Sequence, residues 1–184
     1  ITIYLGFEEA FIYGEITKAF VTCPIGVHMV GYTMVCYGAC AAVTSFLSGR
    51  LVKYTGRGFM IATGAIVHFC ILIWMFLWQP SSRDLILVFI LIGSWAVADG
   101  IWQTQALSLC GLLFPKQQEA AFASYRLYEA FGNMVAFGYA QFLCMDIKVY
   151  ITGGVLCLAV LGYSGLELFV RSEDKEEVAE GEKL

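Results

Sequence analysis

Long apolar runs separated by short polar breaks fill most of this 184-residue chain. A helix needs roughly 20 mainly apolar residues to cross a bilayer. Six segments reach that length, at residues 1–20, 25–48, 59–78, 85–109, 119–143 and 149–170. The breaks between them are of hairpin length, so neighbouring helices alternate in direction: VTCP, GRLVKYTGRG, WQPSSRD, FPKQQE and MDIK. The pattern therefore predicts an all-α bundle of six transmembrane helices.

The composition favours a lipid bilayer as the surrounding medium. Hydrophobic residues make up 59% of the chain and charged residues 14%, whereas a soluble domain carries about 25% charged residues. The net charge is −4 and no basic patch is present, which argues against nucleic acid as a partner. Because the chain starts at Ile1 without an initiator Met or a signal-peptide pattern, we expect it to be a fragment of a longer protein.

Basic residues are divided unevenly between the two ends of the predicted helices. One side carries Arg50, Lys53, Arg57, Lys116, Arg171, Lys175 and Lys183. The other side carries Lys18, Arg83 and Lys148. Because Lys and Arg concentrate in cytoplasmic loops, the first side and the C-terminus are predicted to be cytoplasmic. Residues 1–170 are predicted to form the membrane domain, and the acidic residues 171–184 a disordered cytoplasmic tail.

Charged residues inside the apolar segments are the main candidates for function. Asp99 lies in the fourth segment with Gln103 one turn later, and Arg126 in the fifth segment is followed by Glu129. Side chains three or four residues apart share a helix face. At a rise of about 1.5 Å per residue, Asp99 and Arg126 lie at similar depth in neighbouring segments. The predicted intramembrane site, here named the polar seam, comprises Glu8, Glu9, Asp99, Gln103, Arg126 and Glu129.

One arginine faces several carboxylates in the polar seam. An Asp at the centre of a membrane helix costs about 2.5–3.5 kcal/mol on insertion scales, so such groups turn inward and pair. Arg126 can neutralise Asp99 or Glu129, and a carboxylate left without a cation favours its protonated form. Glu15 and Lys18 form a separate i+3 pair. Three interpretations stay open: structural ion pairs with protonated acids, a site for a solute or coupling ion, and a contact with a membrane partner.

The histidines and cysteines are weaker candidates for functional residues than the members of the polar seam. We expect His28 and His68 to be hydrogen-bonded packing residues, with His68 the better candidate for a proton relay because it is nearer mid-membrane. Most of the seven cysteines lie in apolar runs, where cysteine packs as a small hydrophobic residue. Cys23 and Cys144 fall near segment ends on the same predicted side, which leaves a disulfide between them as one option.

The remaining features of the sequence are its recurrent glycines and its lack of catalytic motifs. Small residues let membrane helices approach closely, and we expect that role for Gly26, Gly31, Gly38, Gly132, Gly138, Gly153, Gly154, Gly162 and Gly165. The chain contains no GxSxG, P-loop, kinase or HExxH pattern and no metal-ligand spacing. The sequence thus predicts neither an enzyme nor a bound metal or cofactor.

The break GRLVKYTGR resembles the loop motif of the major facilitator superfamily, which has Gly, three residues, Asp-Arg, one residue, Gly and a basic residue. Gly49, Gly56 and Arg57 match this motif, whereas Lys53 and Tyr54 replace its Asp and Arg. Together with this loop, the stretches LGFEEAFIYGEITKAFVTC, VADGIWQTQ and AAFASYRLYEAFG are similar to the Unc-ninety-three family of major-facilitator-type membrane proteins, most of all to its vertebrate A branch. The resemblance covers essentially the whole chain.

This resemblance implies that the six helices are the C-terminal half of a twelve-helix protein, with the N-terminal half as their first partner. Family members act as accessory subunits of potassium channels or escort innate-immune receptors between compartments. The expected function is therefore a non-enzymatic accessory protein, at the plasma membrane rather than in endosomes, that regulates a potassium channel or the trafficking of another membrane protein. The polar seam supports a second interpretation, a proton- or cation-coupled transporter of small solutes with its site at the membrane midplane.

Overall fold

The computed structural model describes residues 1–78, 81 and 84–181, with side chains described as far as residue 167. Six α-helices account for most of these residues, which confirms the all-α prediction: α1 (Thr2–Ala10), α2 (Val30–Thr55), α3 (Arg57–Leu77), α4 (Leu85–Leu113), α5 (Gln118–Ala140) and α6 (Met145–Gly181). Two of the predicted basic positions, Arg83 and Lys183, lie outside the described residues. The disordered tail at 171–184 stays a prediction, since its side chains also lie outside the described part.

Four segments of the described chain are long and apolar enough to cross a membrane: Val27–Thr55, Arg57–Leu77, Leu85–Leu113 and Met145–Glu167. α1, which is only nine residues long, and α5 do not meet this criterion. The prediction of six comparably apolar spans therefore holds for four helices. The third helix has the highest mean hydropathy of the four, 2.2, as expected from its uninterrupted apolar run.

The predicted loop between the second and third segments is almost entirely helical. α2 continues to Thr55 and α3 starts at Arg57, so Gly56 alone separates them. Its φ of 81° lies in the left-handed region that favours glycine. Gly49 lies inside α2. The prediction of a loop from residue 49 was wrong, because Leu51 to Tyr54 can continue a helix and only the glycine ends it.

A π-helix, Phe11–Thr22, continues α1 directly. Such helices are rare and mostly limited to single turns, and the sequence predicted an ordinary helix here. The hydroxyl of Thr17 donates to the carbonyl oxygen of Ile12 at 2.8 Å, and the hydroxyl of Thr22 donates to that of Thr17 at 3.0 Å. Both threonine bonds span five residues, which is the spacing of the π-helical backbone.

Two helix pairs form the closest packing, α1 with α5 and α2 with α4. At the first pair, a Cβ added at Gly6 would overlap the carbonyl oxygen of Glu129, and one at Gly132 would overlap that of Ile3. The prediction of close packing at Gly132 is therefore confirmed, whereas a Cβ at Gly138 meets nothing within 4 Å. This backbone contact fixes the position of the charged residues on α1 relative to those on α5.

Candidate intramembrane polar site

Asp99 on α4 is at the centre of the polar seam and is only 3% exposed. The hydroxyl of Tyr37 on α2 donates to its Oδ2 at 2.6 Å, and Nε2 of Gln103 donates to its Oδ1 at 3.1 Å. Gln103 was expected from the i+4 spacing. Tyr37 was missed, because its position opposite Asp99 depends on the packing of α2 against α4. Neutral donors therefore satisfy both oxygens of this carboxyl group.

Glu9 connects α1 with α4 and α5. Nε2 of Gln103 donates to Glu9 Oε1 at 2.9 Å, so one amide group bridges Glu9 and Asp99. The side-chain amide of Asn133 on α5 lies 3.5 Å from Glu9 Oε2 and 3.4 Å from the carbonyl oxygen of Glu129. Because Glu9 is partly exposed, this end of the polar seam is accessible from outside the bundle.

Glu8 lies at the closed end of the polar seam and is fully buried. Its Oε2 lies 3.2 Å from Nδ1 of His68 on α3, and the same nitrogen lies 2.8 Å from the hydroxyl of Tyr4. His68 is thus confirmed as a buried, hydrogen-bonded residue, whereas His28 is exposed and the packing role expected for it was wrong. His68 extends the polar seam to α3, a helix that the sequence spacing did not connect to it.

The carboxyl group of Glu8 lies near that of Asp99, and both are buried inside the bundle. Two neighbouring carboxyl groups held away from water can share one proton, because ionising both of them there is costly. The imidazole of His68 and the two phenol groups of Tyr4 and Tyr37 border this pair. The arrangement can therefore hold and redistribute a proton, whereas no group of three His, Cys, Asp or Glu in the described part of the chain is placed to bind a metal ion.

Arg126 pairs with Glu129, the nearer of the two carboxylates that the sequence offered to it. Nη1 of Arg126 donates to Glu129 Oε2 at 2.6 Å. The side chain of Arg126 is 64% exposed and that of Glu129 is buried. Arg126 therefore lies at the rim of the bundle, and Asp99 has neutral hydrogen-bond donors in place of an arginine.

Another ion pair, which is buried, joins Glu15 in the π-helix to Lys148 in the first turn of α6. Lys148 Nζ lies 2.6 Å from Glu15 Oε2 and also donates to the carbonyl oxygen of Ala140 at 2.5 Å. The predicted pair of Glu15 with Lys18 was wrong, since Lys18 is exposed. Lys148 was interpreted as a loop charge, because nothing in the break MDIK indicates that its long side chain turns back into the bundle.

The sulfur atoms of Cys23 and Cys144 are both free, and both residues are exposed. The disulfide considered for them is not formed. One thiol lies in the segment between the π-helix and α2, and the other in the segment between α5 and α6. At this end of the bundle, Lys148 joins these parts of the chain through its ion pair with Glu15 and its hydrogen bond to the carbonyl oxygen of Ala140.

Comparison with known proteins shows the family of this chain. The model of the family described as ion channel regulatory protein UNC-93 matches residues 1–163. The chain is 44% identical to protein unc-93 homolog A of Mus musculus, over 99% of this chain and 41% of the relative. It is 44% identical to the homolog A of Homo sapiens, over 90% of this chain and 36% of the relative.

A more distant relative is unc-93 of Caenorhabditis elegans, whose name links it to potassium channel regulation; it is 32% identical over 92% of this chain and 24% of its own length. No solved structure matches. The chain spans about two fifths of the length of the mouse relative. The part of it that the structure describes contains four helices long and apolar enough to cross a membrane. The chain therefore belongs to the UNC-93 family of ion channel regulatory proteins and is part of an integral, multi-pass membrane protein.

Proposed function

We propose that the full-length protein is an accessory subunit that regulates a potassium channel at the plasma membrane, with the C-terminus of this chain in the cytoplasm. The match of the family model over residues 1–163 carries this proposal, and the name of the nematode relative supports potassium as the permeant ion. The excess of basic residues on one side of the helices supports the orientation. The N-terminal part of the longer relatives would supply the second half of the bundle.

The hydrogen bonds of the polar seam support a protein that binds another membrane protein through its outer surface. They connect α1, α2, α4 and α5 through Glu9, Tyr37, Asp99, Gln103 and Asn133. Such a network holds membrane helices in a fixed arrangement, because each polar group finds its partner inside the bundle. A rigid bundle of this kind can present constant outer faces to another membrane protein.

The test is the potassium current of cells that normally make the full-length protein. We expect depletion of the protein to change the whole-cell potassium current, and stepwise re-expression to restore it in proportion to the amount of protein. The single-channel conductance should stay constant, because an accessory subunit alters channel number or opening and not the pore. The measurement is whole-cell and single-channel patch clamp with the surface amount of the protein determined in parallel.

Two results would contradict this proposal. An unchanged potassium current after complete depletion would exclude a regulatory role in those cells. A change in the surface amount of a membrane receptor, with the potassium current constant, would instead support the trafficking function that other members of the family suggest.

The paired carboxyl groups favour a second candidate, a transporter coupled to protons or monovalent cations. Glu8 and Asp99 lie together near the middle of the bundle and no Lys or Arg of the described chain pairs with them. Glu9, bonded to the same glutamine as Asp99, is partly exposed and provides a route toward them. Protonatable carboxyl groups at this depth are typical of proton relays in transporters.

The variant Asp99→Asn tests this candidate. Asparagine keeps an oxygen that accepts from Tyr37 but cannot take up a proton, so proton-linked uptake of a solute should be abolished while the amount of protein at the membrane stays normal. The measurement is uptake into proteoliposomes with an imposed pH gradient. Glu119→Gln, at an exposed position in the first turn of α5, is the matched control and should keep wild-type flux; equal flux in both variants would exclude coupling through Asp99.

A further inference from the structure

The helices of the bundle fall into two groups that differ in how they are joined. α1 is in backbone contact with α5, whereas α2 and α3 pack on α4. Between the groups, α1 and the π-helix meet α4 through aromatic rings. The ring centroids of Tyr4 and Trp102 are 5.5 Å apart, and those of Phe11 and Trp95 are 5.6 Å apart. The α1–α5 pair and the α2–α3–α4 group are therefore joined side chain to side chain.

The polar contacts between these two groups of helices run through side chains that can gain or lose a proton. Nδ1 of His68 on α3 lies 3.2 Å from Glu8 Oε2 on α1, and Nε2 of Gln103 on α4 donates to Glu9 Oε1 at 2.9 Å. The carboxyl group of Glu8 also lies near that of Asp99 on α4. The strength of the contact between the two groups of helices therefore depends on how these carboxyl groups are protonated.

Nδ1 of His68 can serve only one of its two neighbours at a time. As an N–H it donates to Glu8, and as a bare nitrogen it accepts from the hydroxyl of Tyr4, 2.8 Å away. The donating form suits an ionised Glu8, and the accepting form, with its proton on Nε2, suits a protonated Glu8. A change in the protonation of Glu8 thus rearranges the hydrogen bonds between α1 and α3.

The charges around Glu8 are mostly negative or neutral. Titratable side chains from five helices surround the Glu8 carboxyl group or its neighbours: Tyr4, Glu9, Tyr37, His68, Asp99 and Glu129. Arg126 is bound to Glu129 at the rim of the bundle. Because Glu8 is fully buried and Asp99 is 3% exposed, these two groups are shielded within this part of the protein from the rest of a longer chain.

Ionising both Glu8 and Asp99 places two like charges side by side away from water, which is costly unless the charges move apart. We infer that the polar seam is a proton-controlled switch, in which the α1–α5 pair stays closed on α3 and α4 while Glu8 and Asp99 hold a proton between them and separates when both ionise. The closed contact is therefore stable at lower pH and is lost as the pH rises. Lys148 holds the far end of the pair through Glu15 and the carbonyl oxygen of Ala140, so the movement turns about that end.

This inference rests on the second candidate function, since a movement driven by protons is what a proton-coupled transporter requires. The test measures that movement in the full-length protein in lipid, with no solute present. Spin labels are attached through noncanonical amino acids at Leu127 on α5 and Ile66 on α3, which are both exposed. We expect their distance, measured by double electron–electron resonance, to lengthen by about 2 Å or more from mildly acidic to mildly alkaline pH, the scale of helix shifts in switching proteins.

The controls separate a switch from a general loosening of the protein. Labels at Leu127 and Ile3 lie within the α1–α5 pair and should keep a constant distance. Glu8→Gln resembles a protonated carboxyl group and cannot ionise, so the distance between the groups should keep its acidic value at every pH. Asp99→Asn should give the same result from the other side of the contact. Glu119→Gln, at an exposed position of α5, should keep the full wild-type shift.

A distance between the groups that stays constant with pH in the wild-type protein would overturn the inference. A shift of wild-type size in both Glu8→Gln and Asp99→Asn, or an equal shift within the α1–α5 pair, would also overturn it. A shift that depends on Glu8 and Asp99 in a protein without proton-linked uptake would support the switch and exclude only the transporter.

Discussion

Gly132→Leu is expected to prevent the close packing of α1 on α5 and to lower the stability of the bundle by about 3 kcal/mol or more, the upper end for overpacking. A Cβ at this position would overlap the carbonyl oxygen of Ile3 and lie 3.0 Å from the backbone nitrogen of Phe7. These are backbone atoms, so no rotamer change can relieve the overlap and α1 has to move. The measurement is the temperature at which half of the solubilised full-length protein stays monodisperse, together with the amount that reaches the membrane.

Gly138→Leu is the matched control, on the same helix and with nothing within 4 Å of the added Cβ. It should behave like the wild-type protein. Gly6→Ala tests the reciprocal contact, where even one methyl group overlaps the carbonyl oxygen of Glu129. If Gly132→Leu and Gly6→Ala melted at the wild-type temperature, α1 and α5 would not be in backbone contact in the membrane.

The positions of the six helices could be predicted from the sequence because apolar length has a direct physical cause. A backbone in hydrocarbon has to satisfy its own hydrogen bonds, so every long apolar run forms a helix. The ends of the helices were less accurate. α2 extends to Thr55 because charged and polar residues past the bilayer edge continue a helix as readily as apolar ones, and Gly56 alone imposes a stop.

Within the candidate site, the sequence predicted only the contacts between two residues of the same helix. The i+4 spacing correctly brought Gln103 to Asp99, and the i+3 spacing brought Arg126 to Glu129. The donors from other helices, Tyr37 and His68 among them, depend on how each helix is rotated about its axis. That rotation is fixed by backbone contacts such as Gly6 with Glu129, which no local spacing specifies.

The ion pair of Lys148 with Glu15 was not predicted because it also depends on contacts between helices. Lysine is flexible enough to extend its charge away from its own backbone position. Lys148 therefore reaches the π-helix and the end of α5 from the first turn of α6. Its partner Glu15 had an apparent partner three residues later, and the π-helical backbone, with more residues per turn than an α-helix, removes that i+3 neighbourhood.

Lys148→Met is expected to destabilise the protein by about 3–5 kcal/mol, because it leaves the carboxylate of Glu15 buried without a cation. The side chains of Lys148 and Glu15 are 5% and 15% exposed, so water compensates little of the loss. The partial exposure of Glu15 places the expected value near the lower end of this range. The measurement is again the melting temperature of the solubilised full-length protein, compared with that of the wild type.

The double variant Glu15→Leu/Lys148→Met separates the ion pair from the burial of one charge. Replacing a whole buried pair by apolar residues is often neutral or stabilising, so the double variant should recover most of the stability. It should still lack about 0.5–1.5 kcal/mol, because the carbonyl oxygen of Ala140 loses the hydrogen bond from Lys148. The single variant Glu15→Leu completes the comparison. If the stability losses of Glu15→Leu and Lys148→Met added up to the loss of the double variant, Glu15 and Lys148 would not interact. Recovery in the double variant would show that this pair joins the π-helix to α6 at the end of the bundle where α5 ends and α6 begins.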